Sequence, residues 1–312
     1  MRPGAMKNHA LQARDYRALI RRNRRADVLF AATGLLVLIV AVLVLSSLIV
    51  DLAVDGAERL TWDFLTSFPS RRPAQAGILS AWVGTTLVML TTAALAVPIG
   101  VTAGVYLEEY APKNLVTDII EVNVTNLAGV PSIVYGLLAL GLFVYGLGMG
   151  QTVVVAAMVL ALLILPVVIV TTREAIRSIP QEIREASYAM GADKWQTVRF
   201  YLLPAARPGI LTGVIVGLSR AIGETAPVIT IGALTFIAFL PPPPVQGTVP
   251  FINFDWLFAP FTVMPIQMFN WVSRPQAAFH VNAAAAGVVL LVMTLAMNGL
   301  AIYIRYRIRR RR

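Results

Sequence analysis

Two side chains of opposite charge lie inside an otherwise apolar segment of this chain, at Arg220 and Glu224. Their four-residue spacing places both on one face of a helix, where each neutralises part of the other's charge. A charge at the centre of a bilayer costs about 2.5–3.5 kcal/mol, and a guanidinium is a planar fork that matches oxyanions. The pair therefore predicts either an anion pathway or a structural ion pair that fixes helix packing. In the pathway, Glu224 would orient Arg220 and prevent overly tight binding, while Gly223 and Pro227 would let the helix bend.

The most polar stretch of the chain lies between two strongly apolar segments, and its local signals predict two short helices. Residues 182–190 read as the first helix, and Gly191 can take the left-handed conformation that ends it. Asp193 suits the N-cap of the second helix, with Gln196 three residues on as in a capping box. Pro204 is predicted to stop that helix, because its ring interrupts the hydrogen-bond ladder. An amphipathic hairpin lying on a membrane surface is the alternative interpretation.

The composition indicates a membrane protein, since 57% of the residues are apolar and 13% are charged. Six apolar segments are each near or above the roughly 20 residues that cross a bilayer. They cover residues 28–50, 78–107, 122–147, 152–172, 208–240 and 281–304. Alternating period-two patterns are absent, which favours helices over a barrel. The sequence predicts an all-α, polytopic protein with six transmembrane helices.

The predicted organisation is one membrane domain with two basic ends. Residues 1–27 form a basic cytoplasmic arm, 28–306 the transmembrane domain and 307–312 a basic tail. The polar loop within that domain spans 173–207. The first apolar run is longer than the core of a signal peptide and has no small-residue cleavage site after it, so a retained anchor is expected.

The distribution of positive charge predicts the orientation of the helices. Most of the 26 Lys and Arg residues lie in the two ends or in loop 173–207. Both termini and that loop are therefore expected on the cytoplasmic side of the membrane. Anionic headgroups account for the net charge of +10, so no nucleic-acid partner is needed.

The sequence lacks the residues of the common catalytic and cofactor sites. None of the three lysines, Lys7, Lys113 and Lys194, follows a glycine, so there is no phosphate-binding loop of an ATPase. There is no cysteine, and the two histidines lie far apart in sequence. We expect no catalytic centre, metal site or cofactor in this chain.

The polar loop resembles the EAA signature of ABC-importer permeases. Five positions match: Glu185, Ala186, Gly191, Leu203 and Pro204. Ser187 and Tyr201 stand where the signature has Ala and Ile. The resemblance implies that this loop, with Asp193 at its turn, docks two copies of a separate ATPase subunit, which bind ATP and magnesium.

Two further segments resemble the permeases of bacterial phosphate-specific ABC importers, of the PstA type. Residues 219–227 are similar to the fifth-helix motif of that group, and 129–137, with Pro131 and Ser132, to its third-span motif. The resemblance implies a MetI-like type I permease fold in the inner membrane. It also implies a heterodimer with a sister phosphate permease, a periplasmic phosphate-binding protein, and roles for Arg220 and Glu224 in phosphate passage.

Three alternatives remain open at the level of the sequence. The chain resembles the sister permease almost as well, and permeases for molybdate, sulfate or tungstate share the loop signature. A proton-coupled secondary transporter would instead use Glu224 as its proton carrier. The aromatic loop 241–280 reads either as an interfacial belt with a short surface helix or as a docking surface for the binding protein.

Overall fold

The computed structural model describes residues 3–233, 236–245, 251 and 253–310. These residues form helices and connecting loops, with no strand among them and an isolated bridge between Thr152 and Pro260. The all-α prediction is therefore confirmed. Residues 1–2 and 311–312 of the predicted basic ends, 234–235 of the predicted segment 208–240, and 246–250 and 252 of the aromatic loop lie outside the described part.

Twelve α-helices are described, several of them extended by wider turns. They are α1 (Pro3–Ala57), α2 (Trp62–Thr66), α3 (Leu79–Val105), α4 (Leu115–Leu127), α5 (Ser132–Ala139), α6 (Val153–Arg177), α7 (Gln181–Ala189), α8 (Lys194–Gln196), α9 (Leu203–Ile222), α10 (Ala226–Thr230), α11 (Met264–Val272) and α12 (Ala277–Arg310). Segments of π-helix continue α3 (Tyr106–Tyr110) and α5 (Leu140–Gly146) and join α8 to α9 (Thr197–Leu202).

The chain divides into two compact units, Met1–Val54 and Asp55–Arg312. In the first unit, residues 26–50 of α1 are exposed along their whole length although most of them are apolar. A helix that is hydrophobic all round is typical of a membrane span.

Among the described residues, five helical stretches are long and apolar enough to cross a membrane, and one bent pair raises the number to six. The five are Ala26–Ala57, Leu79–Tyr110, Val153–Arg177, Lys194–Ile222 and Ala277–Arg307. Each predicted apolar segment thus corresponds to one helical region of the described residues. Two of these regions differ in form from the prediction.

The third predicted segment, 122–147, is not one helix. Here α4 and α5 meet at 105° across a short break that ends with Pro131. Pro131 has an extended backbone, with φ −54° and ψ 133°, and its ring carries no N–H to continue the ladder of α4. Apolar composition averaged over the segment does not reveal such a bend.

The fifth predicted segment, 208–240, is wrong as a continuous helix. Helix α9 ends at Ile222, and α10 is a separate helix of five residues. Pro227 lies in the first turn of α10, where a helix leaves its N–H groups without partners and a proline is therefore tolerated. The long helix extends in the other direction, back to Lys194.

Helix α6 forms the centre of the second unit. Of its most apolar window, 67% is buried, mainly against α3 and α9. Glycines permit this close approach: a methyl group on Gly100 would lie 2.7 Å from Val168 Cγ1, and one on Gly104 2.7 Å from Thr172 Cβ. Small residues at helix contacts replace the hydrophobic drive that is missing inside a bilayer.

A second cluster of buried side chains lies between the aromatic loop and the start of α12. Trp271 is fully buried, with its ring centroid 5.9 Å from Phe64 and 6.4 Å from Phe279. Phe261 is also buried, whereas Phe254 and Phe258 are exposed. The expected short helix is present as α11. The loop's aromatic side chains therefore do not all form a surface belt.

Candidate functional site

Arg220 and Glu224 lie at a helix end and not in the middle of a straight helix. Arg220 is in the last turn of α9, where a cation interacts favourably with the helix dipole. Its Nε lies 3.3 Å from Oε1 of Glu224, which follows the end of the helix. The two side chains are 42% and 19% exposed, respectively. The predicted pairing is confirmed.

The ion pair uses only part of the guanidinium. Among the described residues, Arg220 makes a single hydrogen bond, which its Nε donates to Glu224. The terminal nitrogens remain available to an incoming group. A guanidinium in this state offers its planar fork to an oxyanion, while the carboxylate holds it in place.

The predicted bend residues flank the break between α9 and α10. Gly223 caps α9, and Pro227 lies in the first turn of α10. Open space surrounds Gly223, since a methyl group there would meet no atom within 4 Å. Whether the backbone moves at this break stays a prediction.

A second break faces the first, because α10 packs against α5. A methyl group on Gly136 of α5 would clash with Thr230 Oγ1 and lie 2.7 Å from Pro227 Cα. On the same helix, the Tyr135 hydroxyl donates to the carbonyl of Leu127 at 2.8 Å, across the α4–α5 bend.

Pro131 and Ser132 therefore mark the start of α5 at the bend, next to the Arg220 region. Pro131 is the N-cap residue of α5, and Ser132 is its first helical residue. Irregular backbone at membrane depth is tolerated where it is buried in protein or lines a cavity. Two broken helices that meet beside a charged pair are typical of transporter binding sites.

The EAA-like loop folds locally as predicted. Gly191 has φ +84°, the left-handed conformation that ends α7. Asp193 Oδ1 accepts from the Gln196 N–H at 2.7 Å, and the Gln196 side chain accepts from the Asp193 N–H at 3.0 Å, which completes a capping box. Glu185 and Ala186 lie exposed on α7.

Pro204 does not end the second helix, so that prediction is wrong. The helical stretch runs from Lys194 through Leu203 and Pro204 to Ile222. The π-helical segment Thr197–Leu202 shifts the hydrogen-bond ladder immediately before the proline, and the Leu203 N–H bonds to the carbonyl of Val198. Such local widening accommodates a proline whose ring would otherwise disrupt the ladder.

The departure of Ser187 from the signature has a structural role. Its hydroxyl lies 2.9 Å from that of Thr197, and both side chains are buried. Thr197 in turn donates to the carbonyl of Asp193 at 2.9 Å. The two helices of the loop are thus joined by hydroxyl groups, where an Ala at position 187 would supply only packing.

Large apolar side chains are exposed on this loop. Met190 is 84% exposed, and the neighbouring helices present Ile183, Tyr188 and Trp195. Exposed apolar groups concentrated on a loop that is otherwise polar indicate a surface that contacts a protein or a membrane.

Six charged residues form an ionic cluster beside the loop, which sequence reasoning missed. Its members are Glu108, Glu109, Glu121, Arg173, Arg177 and Arg184. The acidic character of residues 108–121 is visible in the sequence, but the partner arginines lie 52 to 75 positions along the chain. No local spacing rule connects residues so far apart.

Comparison with known proteins was made for sequence and for structure. Residues 96–311 match the family described as "Binding-protein-dependent transport system inner membrane component". The chain is 33% identical over 283 residues to "Probable ABC transporter permease protein YqgI" of Bacillus subtilis, covering 86% of this chain and 91% of the relative. It is 34% identical over 236 residues to "Phosphate transport system permease protein PstA 1" of Mycobacterium tuberculosis H37Rv, covering 76% and 72%.

Solved structures of ABC transporters share the fold. A bacterial alginate ABC transporter chain superposes with a TM-score of 0.63 at 14% identity, covering 92% of this chain and 97% of the other. A chain of the MetNI methionine transporter gives 0.55 at 19% identity, covering 72% and 94%. At these identities the likeness concerns the fold alone, which is that of the MetI-like permeases.

Proposed function

This chain belongs to the family of binding-protein-dependent transport system inner membrane components, and we propose that it is a permease subunit that carries inorganic phosphate. As an ABC transporter permease it is a transport component, and a separate subunit hydrolyses ATP. Transport would proceed by alternating access, with the α9–α10 and α4–α5 breaks open to one side of the membrane at a time.

One observation carries the proposal of an anionic substrate. Arg220 lies between two broken helices and holds Glu224 through a single N–H, so that most of its guanidinium is free. A free guanidinium of this kind binds a tetrahedral oxyanion through charge-assisted hydrogen bonds. The similarity to the PstA relatives supports phosphate among the oxyanions.

The proposed assembly follows the expectations from the sequence. Two ATPase subunits, which bind ATP and magnesium, would dock on the exposed loop around Glu185 and Ala186 on the cytoplasmic side. Leu203 and Pro204 would carry their movement into the continuous helix that ends beside Arg220. A sister permease would complete the pathway, and a periplasmic phosphate-binding protein would deliver the anion. Both termini would be cytoplasmic.

A permease for another oxyanion is the second candidate. The guanidinium fork does not distinguish phosphate from sulfate or molybdate by shape alone, and the name of the YqgI relative states no substrate. Family membership weighs against a proton-coupled secondary transporter, since members depend on a binding protein. The sister permease subunit of the same importer remains compatible with the same site.

Labelled-phosphate uptake tests the substrate. Cells that lack the native gene would be complemented with this chain, and uptake would be measured with excess sulfate or molybdate as competitor. We expect the chain to restore phosphate uptake that resists both competitors. Competition by molybdate or sulfate would support the second candidate, and no uptake with all partners present would contradict the phosphate assignment.

A further inference from the structure

We propose that the ionic cluster makes both walls of the Arg220 site move together when the ATPases close. This inference rests on the proposed function, because it assigns a coupling role within the same importer. The docking loop has a direct connection to one wall: the helical stretch Lys194–Ile222 starts in the loop and ends beside Arg220. The other wall is α5, and no continuous helix joins it to the docking loop among the described residues.

Arg184 attaches the docking helix α7 to two other elements. Its Nη2 lies 2.8 Å from Glu109 in the π-helical segment that continues α3. The same side chain donates to the carbonyls of Ile176 and Ile179, at 3.1 and 3.0 Å, at the end of α6. Arg184 therefore fixes α7 to the ends of α3 and α6 at once.

Arg173 extends the cluster from these elements to α4. Its Nη2 lies 2.6 Å from Glu121 on α4, and its Nε lies 3.5 Å from Glu108. Arg177 forms a bidentate pair with Glu108, in which its Nε donates to Oε1 at 3.0 Å and its Nη2 to Oε2 at 2.9 Å. Glu109, which pairs with Arg184, is next to Glu108, which pairs with Arg173. A displacement of α7 is thus transmitted to α4 through these neighbouring ion pairs.

Four of the six side chains are largely buried, which makes their ion pairs suited to transmit force, whereas Glu121 and Arg177 are 33% and 61% exposed. The side chains of Glu109 and Arg184 are 8% and 18% exposed, and that of Arg173 is 11% exposed. Exposed ion pairs contribute little, because water and salt screen them, whereas a buried charge that loses its partner is strongly penalised. The buried pairs therefore hold their elements in register during a movement.

From α4 the connection continues to the second wall. The Tyr135 hydroxyl bonds to the carbonyl of Leu127 at the end of α4, so that it holds α5 across the bend. Helix α5 then packs against α10 at Gly136. One loop accordingly acts on α9 directly and on α5 through the cluster. Without the cluster, α9 would move alone, and ATP would be hydrolysed without completing the transport step.

The test is the number of phosphate ions transported per ATP hydrolysed, in proteoliposomes that hold the complete importer. Glu109→Gln, Arg184→Gln and the double variant would be compared with the native chain and with Asp118→Asn, an exposed carboxylate in the first turn of α4. The double variant leaves no unpaired buried charge, so it should fold even if the single variants do not, and the transport ratio can still be measured.

We expect each cluster variant to retain ATPase binding but to lower the number of phosphate ions transported per ATP about tenfold. The double variant should be no worse than either single variant, because the effects of two residues that act through one contact do not add. The Asp118→Asn ratio should equal the native one. A double variant with the native ratio would overturn the coupling role. A native complex that hydrolyses ATP but moves no phosphate would instead contradict the proposed function alone.

Discussion

At the scale of single residues, the balance between Arg220 and Glu224 decides how an anion would bind and leave. The two charges lie 3.3 Å apart, and Glu224 is the more buried partner. The sequence allowed both residues to be identified, since charges in an apolar segment are rare and costly. It placed them in the middle of a span, however, because composition does not reveal that α9 ends at Ile222.

Glu224→Gln should keep the size of the side chain and an oxygen that accepts a hydrogen bond, but remove its charge. Arg220 would then hold the anion more tightly, and release would slow. We expect the KM for phosphate and the maximal uptake rate to fall together, the pattern of a site that has lost an opposing interaction. Initial-rate uptake measurements at varied phosphate check this, with Asp27→Asn as the carboxylate control. An increase in KM would contradict the assigned role of Glu224.

At the scale of helices, the signals of Gly191 and Asp193 predicted the structure correctly, whereas the effect of Pro204 and the long-range contacts were not predicted. Gly191 and Asp193 behave as predicted because a helix end depends on a few neighbouring residues. Pro204 was misread because a π-helical segment lies just before it. The ionic cluster could not be predicted at all, since its partners meet only through tertiary packing of α3, α4, α6 and α7.

Gly136→Ala should separate the two broken helices. An added methyl group would meet Pro227 Cα at 2.7 Å, which is backbone and cannot swing away. Overpacking of this kind typically costs about 1–3 kcal/mol. We expect a loss of transport that exceeds the loss of protein from the membrane.

Gly141→Ala is the matched control, because a methyl group there meets nothing within 4 Å. Uptake per permease molecule and immunoblotting of membranes would separate the two effects. Equal uptake by the two alanine variants would show that close packing of α5 on α10 is not required.

At the scale of the whole molecule, the predicted orientation follows from the excess of Lys and Arg in the two ends and in loop 173–207. The fold itself was recoverable from the sequence, since six apolar segments correspond to six helical regions. Composition did not predict that two of these regions are broken. The breaks lie between α4 and α5 and between α9 and α10, near Arg220.

Cysteine labelling tests the orientation, and the chain has no cysteine of its own to interfere. Met190→Cys and Trp62→Cys introduce thiols at side chains that are 84% and 76% exposed. A thiol reagent that does not cross the cytoplasmic membrane would be added to cells whose outer membrane is permeable to it. We expect it to label position 62 only. Labelling at position 190 should require access to the cytoplasmic side. The reverse pattern would contradict the proposed topology.

The most direct test of the central claim is phosphate uptake by Arg220→Ala and Arg220→Lys variants, measured beside Arg307→Ala as an exposed arginine control. A charge-assisted hydrogen bond contributes about 1.5–3 kcal/mol, so the alanine variant should lose about tenfold or more of its uptake. The lysine variant should recover part of it, because its ammonium keeps the charge but not the fork. Native uptake by Arg220→Ala, at native membrane levels, would contradict the account and make the pair purely structural.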